Sequence, residues 1–163
     1  MSRKKSKYKP KGVRLDAITW VINGFKPVAA TGSAVLDLKI KNHSALEALR
    51  TGQAKRYDID SIISALNVSE ALSRLGIGHE YIDEIKEGQD ALLELSRRGI
   101  NREDRFVAKA SELTAINYVM ELHDAQLEIT TIAQLEKALD MVVLEIKSRR
   151  ARAIEVTALR SKT

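Results

Sequence analysis

The last third of the chain carries the most regular pattern of apolar positions. Within residues 113–127, and again within 132–146, the pattern advances by alternating steps of three and four, the spacing of one helix face. The two stripes are Leu113, Ile116, Met120, His123 and Leu127, followed by Ile132, Leu135, Leu139, Val142 and Ile146. A short connection joins them, and Thr131 with Gln134 has the spacing of a capping box. The pattern predicts a long C-terminal antiparallel helical hairpin over residues 112–160.

Two segments before this hairpin show the same helical spacing. Residues 79–99, HEYIDEIKEGQDALLELSRRG, carry an apolar stripe that is expected to end at Gly99. Residues 58–76 predict the preceding helix, with Asp58 or Asp60 as its cap. Both segments therefore add helices to the same domain.

The first part of the chain is less regular. Residues 15–25, LDAITWVINGF, predict a short amphipathic helix, and Ser44 with Glu47 predicts another that begins at this capping box. In the segment 26–41, apolar residues alternate with charged ones, which is a strand pattern. The alternating residues are Leu36, Leu38 and Ile40. Because a lone strand has no pairing partner, we expect an extended linker there.

These patterns predict an all-α protein with one domain of about five to six helices. The chain has 163 residues, of which 44% are hydrophobic and only 4% aromatic, so a single domain with an aliphatic core is expected. The predicted helical domain spans residues 15–163. Residues 1–14 lack apolar periodicity and are expected to form a flexible basic arm.

Composition and missing motifs exclude several functions. The chain has no cysteine, which excludes disulfides, thiolate nucleophiles and the common structural zinc sites. It has no phosphate-binding glycine loop and no GxSxG motif, so we expect neither an enzyme nor a cofactor. No apolar run approaches the roughly 18 residues that span a bilayer. The expected location is a reducing cytoplasm without membrane association, although a mitochondrial or nuclear signal stays open for a eukaryotic source.

Charge is distributed unevenly along the chain. The net charge is +5, yet residues 1–14 contain seven Lys or Arg and no acid, and residues 147–163 contain six and one acid. The span 15–146 has 14 basic and 21 acidic residues. Two basic ends therefore flank an acidic middle, which is a common footprint of nucleic-acid binding.

The basic ends supply the candidate site residues. Lys and Arg neutralise phosphates, and Tyr8 is a candidate for stacking on a base. The candidate phosphate-binding residues are Arg3, Lys4, Lys5, Lys7, Lys9, Lys11, Arg14, Arg149, Arg150 and Arg152. The chain lacks the signatures of sequence-specific DNA- or RNA-binding folds, so non-specific contact with DNA or RNA is expected. The alternative is that these charges maintain solubility or bind an acidic protein.

Two histidines invite a metal or catalytic interpretation. In HEYIDE, Asp83 stands where a zinc protease has its second histidine, so His79 is assigned to the first turn of a helix. His123 falls on the apolar stripe of the predicted hairpin, and its acidic neighbours project from other faces. We expect His123 to be a hydrogen-bonded core residue or one that fixes the register of the hairpin, and we predict no metal site.

Four stretches of the chain resemble segments of small bacteriophage, prophage and mobile-element proteins that have no assigned activity: SKYKPKGV, TWVINGFKPV, LKIKNHSALEAL and MELHDAQLE. The resemblance implies a bacterial cytoplasm and an accessory role, and it transfers no catalytic residue. The expected function is a non-catalytic accessory protein that binds nucleic acid through its basic ends. The alternative is a protein–protein interaction module, acting on a host factor or in a virion through its helical surface, with a homo-oligomer allowed but not required.

Overall fold

The computed structural model describes residues 27–28 and 32–148, and this part of the chain forms five α-helices and one short 3-10 helix. The α-helices are α1 Ser33–Arg50, α2 Arg56–Arg74, α3 Ile82–Ile100, α4 Ala110–Ile129 and α5 Ile132–Lys147, and the 3-10 helix is His79–Tyr81. The described residues contain no strand, only an isolated antiparallel bridge between Pro27 and Thr131. The all-α class is confirmed. The predicted arm 1–14 and the predicted helix 15–25 lie outside the described residues.

Helix α2 lies at the centre of the bundle. It contacts α1, α3, α4 and α5, and most of its residues are buried. A helix buried nearly all round must satisfy its polar side chains internally. Ser61 Oγ accordingly donates to the carbonyl oxygen of Tyr57 at 2.8 Å, and Ser69 Oγ donates to Gln126 Oε1 at 2.7 Å.

The core divides into two clusters that share α2. The first cluster joins α1 to α4 around a group of fully buried side chains that includes Ile59, Ile62, Leu66, Ile85, Leu92, Leu95, Phe106 and Ile116. The second cluster comprises Val28, Val68, Ala71, Leu72, Ile77, Leu127 and Ala138. Among the described residues the core is aliphatic except for Phe106, as the composition predicts.

Helix α1 corrects the expectation of a linker in its first half. The helix begins at Ser33, and Ser44 lies inside it rather than at its cap. Leu36, Leu38 and Ile40 are exposed on this helix, so their alternation does not reflect a strand. The buried face of α1 includes the polar residue Asn42, which obscured the helical period in the sequence.

The structure confirms the two helices of the predicted C-terminal hairpin but does not confirm their packing along each other. The two helices are present and the Thr131–Gln134 capping box is confirmed, with Thr131 N–H donating to Gln134 Oε1 at 2.9 Å. However, α5 contacts α2, whereas α4 contacts α3 and α2. The buried face of α5 centres on Ala138, which lies in the second cluster with side chains of α2. The described part of α5 therefore packs mainly on α2, and the packing of the two stripes along each other stays a prediction.

The connection between α3 and α4 is held by polar contacts and one aromatic ring. Arg98 makes a two-point ion pair with Glu112, with N–O distances of 2.8 and 2.5 Å. Burial raises the pKa of Glu112, but the hydrogen bonds from Arg98 and from the Lys109 N–H outweigh burial and leave that pKa below its usual value. Phe106 packs on Gly99, which lies inside α3 and does not end it as predicted.

Candidate functional site

The predicted nucleic-acid contacts lie outside the described residues. These residues are Arg3, Lys4, Lys5, Lys7, Tyr8, Lys9, Lys11, Arg14, Arg149, Arg150 and Arg152. Their roles stay predictions. The structure does place Pro27, Val28 and Ser148 on the bundle. Pro27 and Val28 follow residues 1–26, which we call the N-terminal segment, and Ser148 precedes residues 149–163, which we call the C-terminal segment.

The N-terminal segment joins the bundle at the junction of α4 and α5. Pro27 bridges Thr131, and the Val28 N–H donates to the carbonyl oxygen of Thr130 at 2.8 Å. The Val28 side chain is buried in the second cluster, which also includes Ala138 of α5. Pro27 therefore lies at the first turn of α5, while the C-terminal segment leaves from its last turn. At 1.5 Å per residue, these two points are about 24 Å apart along the helix axis.

The described bundle is acidic, and many of its bases are already paired. Residues 32–148 contain 14 Lys or Arg and 20 Asp or Glu, which is a net charge of −6. Seven of the bases lie within 4.0 Å of a carboxylate oxygen. They are Lys39, Arg50, Arg56, Arg74, Lys86, Arg97 and Arg98. A phosphate backbone would therefore meet mostly acids or neutralised bases on this part of the protein.

His123 lies on α4 in a buried position that faces α1, as predicted from its place on the apolar stripe. It is only 2% exposed, and burial lowers its pKa from 6.5 to about 4. Its Nδ1 has no hydrogen-bond partner among the described residues, so the expected hydrogen bond is not found at that atom. The neighbouring Asp124 instead contacts His43 on α1, with 2.5 Å between Asp124 Oδ2 and His43 Nε2.

A chain of polar side chains runs from the interior to the surface beside α5. Gln89 is fully buried and its Nε2 donates to Glu70 Oε2 at 2.9 Å. Glu70 pairs with Arg74, which also reaches Glu145 on α5. The sequence contained a signal for this chain, because Gln89 is a polar residue on an otherwise apolar stripe. Its partners on α2 and α5 could not be read from the sequence pattern.

The described residues contain neither a metal-ligand group nor a membrane-spanning helix. They contain no group of three or more His, Asp or Glu side chains that could hold a metal ion. Within the same ranges, no helix is both long and apolar enough to cross a bilayer. His79 belongs to the 3-10 helix before α3, and the predicted assignment of HEYIDE to a helix start is consistent with this position.

Helix α5 exposes a row of three apolar side chains, two of which, Leu139 and Ile146, belong to the predicted apolar stripe. Leu139, Val143 and Ile146 are 46%, 48% and 39% exposed. They lie one helical turn apart on one flank of α5, about 100° away from the buried Ala138. We call these three residues the α5 outer stripe. Helix α1 also exposes apolar side chains, with Leu36 and Ile40 one turn apart on one face and Leu38 on the opposite face.

No family model, curated protein or solved structure matches this chain.

Proposed function

We propose that this chain is a non-catalytic accessory protein of bacteriophage or mobile-element type that binds nucleic acid through its two basic ends. The proposed contacts are non-specific and are made to the phosphate backbone of DNA or RNA. The observation that carries the proposal is the segregation of charge. Thirteen of the 27 Lys and Arg lie in residues 1–14 and 147–163, against a single acid.

The charge of the bundle supports this assignment of roles. The described bundle has a net charge of −6, and half of its bases pair with carboxylates. An acidic body repels the phosphate backbone, so the basic ends would make the contacts. The resemblance to mobile-element proteins is compatible with such an accessory role.

Binding should depend steeply on salt and on the arm. We expect the full chain to bind labelled single-stranded and duplex oligonucleotides, with fluorescence anisotropy as the measurement. Each phosphate contact contributes about 0.7–0.9 to the slope of log affinity against log salt concentration, so deleting residues 1–14 should flatten this slope by several units. The substitution Lys137→Gln removes an exposed base of the bundle and should leave the slope nearly unchanged. Absence of binding, or binding that neither salt nor the deletion affects, would refute the proposal.

A second candidate function is favoured by the exposed apolar group on α1. Leu36 and Ile40 are one turn apart and well exposed, which is typical of a helix face that contacts another protein. Under this alternative, the chain is an interaction module that modulates a host factor or belongs to a virion.

The test is retention of a stoichiometric partner from nuclease-treated host lysate by the natural chain but not by Leu36→Gln/Ile40→Gln. Both positions are exposed, so this variant should keep its helical circular dichroism. A partner that is retained by the variant, or that disappears after nuclease treatment, would count against the alternative.

A further inference from the structure

We propose that residues 15–25 pack against the α5 outer stripe and carry the basic arm towards the basic C-terminal end. Residues 15–25 lie outside the described part of the chain, and four observations support this docking. They are the exposure of the stripe, the anchoring of Pro27 and Val28, the direction of the chain at that anchor, and the apolar pattern of the segment itself.

The α5 outer stripe has room for another apolar element. Helix α5 presents a buried flank to α2, and the stripe occupies the adjacent flank, where Leu139, Val143 and Ile146 recur at helical spacing. Such a row stabilises a helix only when another apolar surface covers it, because removing apolar area from water is what lowers the free energy. Leu144, at 60% exposure, lies on the other side of the buried flank and provides a comparison within the same helix.

The anchor brings residues 15–25 close to this stripe. The Val28 N–H is hydrogen-bonded to the carbonyl oxygen of Thr130, and the Val28 side chain is buried in the second cluster, which includes Ala138 of α5. Only Lys26 separates Phe25 from Pro27. A segment tethered this closely has an effective concentration of about millimolar near the stripe, so it binds there in preference to a free partner at lower concentration.

The direction of the chain at the anchor points the segment along α5. The bridge between Pro27 and Thr131 is antiparallel, so the chain before Pro27 heads the same way as the chain after Thr131. The chain after Thr131 is α5. Tracing backwards from Pro27 therefore starts alongside the first turn of α5, and a segment that keeps this direction would run towards its last turn.

Length and pattern also agree. As a helix, residues 15–25 would extend for about 16 Å, and the stripe lies about 12–22 Å from Thr131 along the axis of α5. The segment has its own apolar face, formed by Leu15, Ile18, Val21, Ile22 and Phe25. Docked in this direction, Leu15 would lie near the last turn of α5. The arm 1–14 would then begin close to Arg149, Arg150 and Arg152, and the two basic ends would form one surface.

A single-tryptophan pair tests the docking without reference to nucleic acid. Trp20 is the only tryptophan, and the helical spacing puts it on the face opposite the apolar one. In Trp20→Phe/Phe25→Trp, the tryptophan moves to the apolar face. We expect its emission to be blue-shifted and its acrylamide quenching to be low, whereas Trp20 of the natural chain should be readily quenched.

Adding Leu139→Gln and Val143→Gln to the single-tryptophan chain should shift its emission to the red and raise quenching to the level of the denatured chain. Adding Leu144→Gln instead should do neither, although it also replaces an exposed leucine of α5. Both sets change no charge, and circular dichroism checks that the helices remain. Equal quenching in the two variants would overturn the docking. So would protection that appears only at concentrations where light scattering detects a dimer, because the occupant would then be a second copy.

The consequence for nucleic-acid binding rests on the proposed function and is measured separately. In the otherwise natural chain, Leu139→Gln/Val143→Gln should weaken oligonucleotide binding because its two basic ends are no longer held together, whereas Leu144→Gln should not. Weakening by both variants to the same extent would overturn this consequence. Failure of the natural chain to bind any oligonucleotide would refute the proposed function while leaving the fluorescence result intact.

Discussion

Replacing Phe106 with alanine should lower the free energy of unfolding by about 3–5 kcal/mol. Phe106 is 1% exposed and belongs to the first cluster, where it fills the space between the end of α3 and the start of α4. The substitution removes the one aromatic ring from a core that is otherwise aliphatic among the described residues. The measurement is chemical denaturation followed by circular dichroism, comparing midpoints at an unchanged slope.

The ring contact with Gly99 gives this prediction a sharper form. A Cβ at Gly99 would lie 2.2 Å from Phe106 Cδ1, so Gly99→Ala alone should destabilise the protein by about 1–3 kcal/mol. In the Phe106→Ala background the obstacle is gone, and Gly99→Ala should become neutral or stabilise by up to about 1 kcal/mol through helix propensity.

Gly88→Ala serves as the matched control for this cycle. A Cβ there would meet Val119 Cγ2 at 2.5 Å rather than Phe106, so its cost should be the same in both backgrounds. If Gly99→Ala were equally costly with and without the Phe106 ring, the proposed contact would not be the source of the strain.

Stability should also fall as the pH is lowered from about 6.5 to about 4 because of His123. Its pKa is about 4 in the folded chain and 6.5 in the unfolded reference, so the unfolded chain binds the proton more readily. The stabilising contribution is therefore fully present above pH 6.5 and is lost as the pH falls towards the folded pKa. A difference of this size corresponds to roughly 3 kcal/mol. Urea denaturation across this range measures it.

Two variants separate His123 from the other titrating groups. His123→Leu removes the buried imidazole and should flatten the pH dependence between about 6.5 and 4. His43→Gln, at the exposed partner of Asp124, should keep most of that dependence. A steep dependence that survives in His123→Leu would assign it to carboxylates instead.

The helices of the second half could be predicted because their signals are local. The spacing of apolar residues in α3 and α4 reports burial directly, since Ile85, Leu92 and Ile116 are all fully buried. The Thr131–Gln134 capping box at the start of α5 needs only its own backbone and two side chains.

The start of α1 could not be predicted because its local signals mislead. Ser44 and Glu47 have capping-box spacing, yet both are exposed residues within a longer helix. Such a pair caps a helix only where the helix begins, and the sequence pattern does not show where that is. Leu36 and Ile40 are exposed, so burial did not impose a helical period on this part of the sequence.

The partner of α5 was unpredictable for a different reason. A heptad stripe specifies that a helix packs, but it does not specify against which helix. The buried Ala138 on α5 and Ala71 on α2 belong to the same cluster, and this match between distant segments decides the packing. The candidate nucleic-acid residues were chosen from charge alone, and they stay predictions.

The hydrogen bond between Val28 and Thr130 joins positions about one hundred residues apart in the chain. Contacts at such separation carry a large loop-closure cost, so we expect them to form late in folding, after the local pairing of α1 with α2 and of α3 with α4. For the same reason, we expect this junction to open by local unfolding more readily than the centre of the bundle under native conditions. The Val28 amide should accordingly exchange its hydrogen faster than the amides at the centre of α2, although its side chain is just as deeply buried.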